Sequence, residues 1–118
     1  MRAKDALGKR GEQAAVEFLK EAGMRILDRN WRCAMGEIDI VAVERRTLVV
    51  CEVKTRTSGA YGSPLESVKR EKLVRLRRLA IAWVLAHGVL FDEVRVDVVG
   101  LVPARPRGFT IEHLRGVG

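Results

Sequence analysis

Asp39, Glu52 and Lys54 are ionisable residues set inside two largely apolar stretches, Gly36-Glu37-Ile38-Asp39-Ile40-Val41-Ala42-Val43 and Leu48-Val49-Val50-Cys51-Glu52-Val53-Lys54. Side chains of a strand repeat every two residues, so Glu37, Asp39 and Val41 share one face of the first stretch, and Glu52 and Lys54 share one face of the second. Pairing the two stretches lets Asp39 meet Glu52 and Lys54. Two neighbouring carboxylates at the ends of central strands make a hard-oxygen site that suits Mg²⁺ or Mn²⁺, ions that keep several waters and bridge to phosphate. Such an ion polarises a phosphodiester and acidifies a bound water. Lys54 beside it can orient that water or offset the charge developing on the phosphate. The plain alternative is a Glu52–Lys54 ion pair with no further role. Buried pairs of that kind add little net stability once desolvation is counted, and charged residues rarely enter apolar strands unpaired. The pattern therefore predicts a phosphodiester-cleaving site.

Elements able to position these residues are legible on either side. Residues 4 to 22 place Leu7, Gly11, Ala14, Ala15, Phe18, Leu19 and Ala22 at three-to-four spacing, which predicts an amphipathic helix stopped by Gly23. Met24 to Trp31 alternates and predicts a strand, followed by a turn over Asn30 to Gly36. The stretches 36–43 and 48–54, joined by the polar break Glu44 to Thr47, predict a hairpin. Arg56 to Gly62 has loop composition. Ser63 as N-cap, Pro64 at the first helical position and Glu66 closing a capping box predict a helix start. That helix runs, with a break near Lys69, to about Ala86 and ends at His87-Gly88, with Leu73, Leu76, Ala80, Trp83 and Val84 as its apolar stripe. Val94, Val96 and Val98 alternate with Arg95, Asp97 and Val99 in a further strand, and Phe109 to Leu114 makes the last one. The order α-β-β-β-α-β-β, without repeat or linker, predicts one α/β domain over residues 1–118, a mixed central sheet flanked by helices.

The chain has 118 residues, with 22 Lys and Arg against 15 Asp and Glu, a formal charge of +7. Its pI is near 10.1. A polyanionic partner is favoured, nucleic acid foremost. The start, MRAKDALGKRGEQ, is charged and does not read as a secretion signal. No run approaches the ~18 apolar residues that cross a bilayer, so a cytoplasmic protein without membrane contact is expected. Cys33 and Cys51 are the only cysteines and lack metal-ligand spacing, which argues against a disulfide scaffold or structural zinc site. They read as packing residues. His87 and His113 read as surface or capping residues, and Trp31 and Trp83 as core, with base stacking a minor reading for Trp31. Gly8-Lys9-Arg10-Gly11 is not a phosphate-binding loop, because no strand precedes it and no Ser or Thr follows the Lys. Its glycines instead suit close approach of helix and sheet. Lys69, Arg70, Lys72, Arg75, Arg77 and Arg78 crowd the second helix. Arg75 and Arg78 fall opposite the apolar stripe, on a solvated face. Lys69 projects onto the stripe and is expected to point towards the site. With Lys72, Arg32, Arg56 and Thr57 it would hold flanking phosphates.

Asp39 followed thirteen residues later by Glu52-Val53-Lys54 resembles the PD-(D/E)xK motif of restriction-endonuclease-like nucleases, with Ile38 standing where the motif's name has Pro. The phrases Gly36 to Ala42 and Glu52-Val53-Lys54-Thr55-Arg56 resemble the YraN-like family of bacterial proteins. So do Gly8-Lys9-Arg10-Gly11-Glu12, Tyr61-Gly62-Ser63-Pro64, Asp97-Val98-Val99 and Ile111-Glu112-His113. The likeness covers nearly the whole chain. That family is similar in fold to archaeal Holliday-junction resolvases, which cut four-way DNA with Mg²⁺ as homodimers. The resemblance implies a restriction-endonuclease-like fold and a further acidic residue on the first helix, at the position of Glu12. Glu12 stands three before Ala15 and seven before Leu19, so helical geometry turns it to the sheet. The expected function is a Mg²⁺- or Mn²⁺-dependent endonuclease acting on DNA, branched DNA included. Glu12, Asp39, Glu52 and Lys54 form its catalytic set, and Asp39, Glu52 and Glu12 are the metal-facing carboxylates. The alternatives are a non-catalytic nucleic-acid-binding module and an RNA-processing or ribosome-associated factor. Pure binding would lose nothing by replacing carboxylates that repel phosphate, which argues against the first.

Overall fold

In the computed structural model, which describes residues 3–58 and 62–118, the two apolar stretches become neighbouring strands of a five-stranded sheet. The elements are α1 (Ala3–Glu21), β1 (Arg25–Cys33), β2 (Gly36–Glu44), β3 (Thr47–Thr55), a short 3₁₀ helix (Pro64–Ser67), α2 (Arg70–His87), β4 (Glu93–Pro103) and β5 (Phe109–Leu114). The sheet order is β1-β2-β3-β4-β5. All neighbours are antiparallel except β3 and β4, which run parallel from Thr47↔Glu93 to Thr55↔Leu101. A parallel pair needs a crossover, and the 3₁₀ helix with α2 supplies it. The mixed α/β arrangement expected from the pattern is therefore present.

Both faces of the sheet are covered, which explains why β3 is apolar at nearly every position. Val49 and Cys51 pack with Ala15, Val16 and Leu19 of α1. Leu48 and Val50 pack with Leu76, Leu79, Ala80 and Trp83 of α2. Gly11 makes the first contact possible, since a Cβ there would run into the Thr55 side chain. Gly8 has nothing within 4 Å of such an atom, so the close-approach reading holds for Gly11 and not for Gly8. Among the described residues no helix is long and apolar enough to cross a membrane.

Several local expectations need correction. The first strand runs to Cys33, and the turn expected over 30–36 shrinks to Ala34 and Met35, because the ladder continues through Trp31↔Ile38, Arg32↔Glu37 and Cys33↔Gly36. Asn30 takes a left-handed backbone (φ 52) inside that ladder, a conformation Asn tolerates better than most residues. The predicted capping box opens a 3₁₀ helix and not an α-helix. Ser63 Oγ accepts from the Leu65 N–H at 3.3 Å, and the Glu66 N–H donates to the Ser63 carbonyl at 3.1 Å, a tighter winding than the box requires. Val68 is extended and buried, so the winding stops, and α2 starts afresh at Arg70 with Lys69 as its N-cap. The break near Lys69 is thus real. Gly88, left-handed at φ 64, ends α2 with its N–H on the Val84 carbonyl. His113 is no surface residue: its side chain is 7% exposed and its Nε2 lies 2.7 Å from Oδ2 of fully buried Asp97. His87 does cap, with Nδ1 2.8 Å from the Trp83 carbonyl near the end of α2. Tyr61 lies outside the described residues.

Candidate active site

β2 and β3 part company where the ionisable residues begin. Their last backbone pair is Ile40↔Cys51. Beyond it β3 continues beside β4, while β2 continues towards Gly36 paired with β1. The Val53 N–H, left without a strand partner, donates to Asp39 Oδ2 at 2.8 Å. Asp39 thus closes the gap between the diverging strands, and a part-buried donor is satisfied by a side chain in place of the ladder.

The next residue on β3 with a carboxyl group is Glu52, 4% exposed. Its carboxylate lies close enough to Asp39 for the two like charges to oppose each other. Burial, and then the Glu52 charge, push the Asp39 pKa up to about 7 against the opposing pull of the Val53 N–H. Glu52 Oε2 also receives two ammonium groups, Lys54 Nζ at 3.4 Å and Lys72 Nζ at 3.0 Å. The expected meeting of Asp39, Glu52 and Lys54 is present, with Lys72 added from α2.

Beside this group opens a cleft of about 1090 Å³ between the first half of α1 and the end of β3, with Lys9, Glu12, Asp39, Lys54 and Thr57 in its wall. Glu12 faces the sheet as helical geometry requires, and its side chain is 17% exposed. Arg29 Nε at 3.3 Å, Arg29 Nη2 at 3.2 Å and Asn30 Nδ2 at 2.9 Å all donate to Oε1. Oε2 has no hydrogen bond among the described residues. The left-handed Asn30 therefore has a positional consequence, since it carries an amide to α1. Among the described residues no three carboxylate, Cys or His side chains stand close enough together to enclose a metal ion. Asp39 and Glu52 form a two-carboxylate group, and Glu12 stands across the cleft from it.

The residues expected to hold phosphates divide. Thr57 lines the cleft and Lys72 reaches Glu52. Arg56 lines a smaller cavity of about 170 Å³ that also has Lys54 and Gly100 in its wall, and its N–H donates to the Leu101 carbonyl at 2.8 Å. Arg32 is 78% exposed and pairs across the hairpin with Glu37 at 2.7 Å. Lys69 does not lie on the stripe of α2. The helix begins one residue later, so Lys69 is an exposed N-cap, and Lys72, one turn on, takes the role assigned to it. Lys9 was not anticipated. Its signal was its position three before Glu12, which puts both on one helix face.

A model of the family described as Uncharacterised protein family UPF0102 matches residues 11–101, a span that contains Glu12, Asp39, Glu52, Lys54 and Lys72. A UPF0102 protein of an Arthrobacter species is 55% identical over 118 residues, covering 100% of both chains. One from Beutenbergia cavernae is 52% identical with the same coverage. A third, from Paenarthrobacter aurescens, is 53% identical over 99% of this chain and 97% of its own.

Proposed function

The chain belongs to the UPF0102, or YraN-like, family, and from that premise we propose that it is a divalent-metal-dependent endonuclease that hydrolyses phosphodiester bonds in DNA. The reading is carried by one observation, the buried carboxylate of Glu52 next to Asp39 at the gap where β2 and β3 part, with Asp39 accepting the Val53 N–H there. Two neighbouring carboxyls oppose each other's ionisation, and their hard oxygens suit Mg²⁺ or Mn²⁺. The residues present therefore fit such an ion, which Asp39 and Glu52 would hold, with Glu12 in the wall of the same cleft as Asp39. Bound there, the ion would polarise the scissile phosphate and make a water more acidic.

The remaining work falls to side chains. Lys54, 3.4 Å from Glu52 and open to the cleft, would orient the attacking water or neutralise charge gathering on the phosphate. Lys9 and Thr57 in the cleft wall, with Arg56 near Lys54, would hold phosphates on either side of the cut. The basic surplus of the chain, +7, would draw the polyanion in. The strand order around the acidic gap supports reading the sheet as restriction-endonuclease-like. A branched DNA substrate and action as a homodimer rest on the resemblance to the resolvases alone. One observation favours a non-catalytic nucleic-acid-binding module: Glu52 is paired with two lysines and Glu12 with Arg29 and Asn30, so each carboxylate has a structural partner.

Cleavage of linear, single-stranded, flap and four-way DNA with Mg²⁺ or Mn²⁺ decides between the two readings when Lys54→Ala is assayed beside the wild type. A group that acts mainly in the transition state contributes to rate and not to affinity. Folded Lys54→Ala should bind DNA as the wild type does and cut at least ~10²-fold more slowly. Equal cutting by both proteins, or parallel loss of binding and cutting, would assign the module reading.

A further inference from the structure

We infer that Lys72 is the internal counter-ion of the acidic pair: it holds Glu52 while no divalent cation is bound, and releases it to the cation in order to contact a substrate phosphate. The inference rests on the metal-dependent reading above. Glu52 is almost wholly buried and its Oε2 carries two ammonium groups, so the carboxylate is fully compensated as it stands. A divalent ion at the same oxygens would place two further positive charges against both lysines, and one of them must yield.

Geometry selects Lys72. Lys54 stands on β3 two residues from Glu52, on the same face, and lines the cleft where the metal-dependent reading needs it. Lys72 comes from another element, the first turn of α2, at the end of a flexible four-carbon stem. Its side chain is 40% exposed, so the ammonium can swing out to solvent or to a bound polyanion without losing a buried contact surface. It makes the shorter contact of the two, 3.0 Å against 3.4 Å, as expected for the residue that supplies the compensation. A merely structural ion pair would stabilise the protein and leave cation affinity untouched; a displaced counter-ion must compete with the cation.

The test is Mn²⁺ titration of the full chain, followed by the electron paramagnetic resonance of the free ion, for wild type, Lys72→Met and Lys72→Arg. Lys72→Met, which keeps the stem and removes the charge, should bind Mn²⁺ about tenfold more tightly, the scale of one lost charge pair. Lys72→Arg should stay near wild type. With Ca²⁺ in place of the catalytic ion, Lys72→Met should bind DNA more weakly than wild type, and in EDTA the two should bind alike. Equal Mn²⁺ affinity of Lys72→Met and wild type overturns this inference and leaves the nuclease reading standing. Failure of all three proteins to bind Mn²⁺ removes both. Should Lys72→Met not fold, amine acylation of the wild type read by mass spectrometry serves instead. Labelling of Lys72 should rise on adding Mn²⁺ while that of exposed Lys20 does not, and an unchanged Lys72 would overturn the inference.

Discussion

Asp39 shows how one side chain can serve the fold and strain it at once. Its carboxylate accepts the Val53 N–H that the diverging strands leave over, yet burial and Glu52 hold its pKa near 7. In the unfolded chain the same carboxyl titrates near about 3.9. Between those two values the folded protein keeps a proton that the unfolded chain has lost. Stability contributed by this group therefore falls as pH rises through the window, and the full cost is present above about pH 7. Asp39→Asn imitates the protonated form and can still accept from Val53. Without metal it should melt above the wild type at pH 8, with the difference cut to roughly a third by pH 5. Adding Mn²⁺ at pH 8 should raise the wild-type Tm and leave that of Asp39→Asn unmoved. Calorimetric scans at both pH values check this, and a difference in Tm independent of pH would mean that Asp39 is ionised throughout.

At the scale of elements, the site depends on how closely α1 sits on β3. Gly11 lets the helix touch Thr55, and Glu12 follows it in the chain, so the approach that Gly11 permits is what carries Glu12 to the cleft. Alanine at 11 would gain about 1 kcal/mol of helix propensity and incur an overpacking cost of about 1–3 kcal/mol, because Thr55 is β-branched and fixed in a strand. We expect Gly11→Ala to be destabilised by about 1 kcal/mol in urea titration, with part recovered by adding Thr55→Ala. A variant more stable than wild type would show that α1 can lift from β3 freely. The 3₁₀ helix is pinned in a similar manner. Gly100 on β4 leaves room for the Pro64 ring, where a Cβ would collide, and this sets where the crossover lands before α2 begins.

Across the whole molecule, charge is arranged at both ends of the sheet, with opposite consequences for acid and alkali. Away from the cleft, Asp97 is fully buried on β4 and receives Arg95 Nε at 2.9 Å and the Gly116 N–H at 3.0 Å, with His113 beside it. Arg95 and Arg115 also bind Glu44, so the network ties β2, β4, β5 and the residues after β5 together. Burial alone would raise the Asp97 pKa, but His113, Arg95 and the Gly116 N–H hold it below the usual range, and Arg115 and Arg95 do the same for Glu44. Depressed carboxylates stabilise the fold above their unfolded pKa, near about 4, and lose that contribution as pH falls through the folded value. Asp97→Ala, which takes the buried partner from His113 and one of two carboxylates from Arg95, should cost about 3–5 kcal/mol at pH 7. The gap from wild type should narrow below about pH 4, where the wild type loses the same interactions. Urea unfolding at pH 7 and pH 3 measures both, and a gap of equal size at the two would place the stability elsewhere.

Much of this protein could be read from residue order because the relevant physics is local. The β-branched runs made β2 and β3, and period two put Glu52 beside Lys54 within one strand. The helical period turned Glu12 to the sheet, and Ser63-Pro64 opened a helical turn where expected. Tertiary structure decided what lies between elements. It ended the ladder at Ile40↔Cys51, so that Asp39 fills a gap by accepting the Val53 N–H and stands next to Glu52. It started α2 at Arg70, so that Lys72 and not Lys69 reaches the acidic pair, and it buried His113 on Asp97. Periodicity along a chain specifies which face a side chain takes; which partner from a distant segment meets it there depends on strand pairing and helix docking, and these follow from packing the whole core at once.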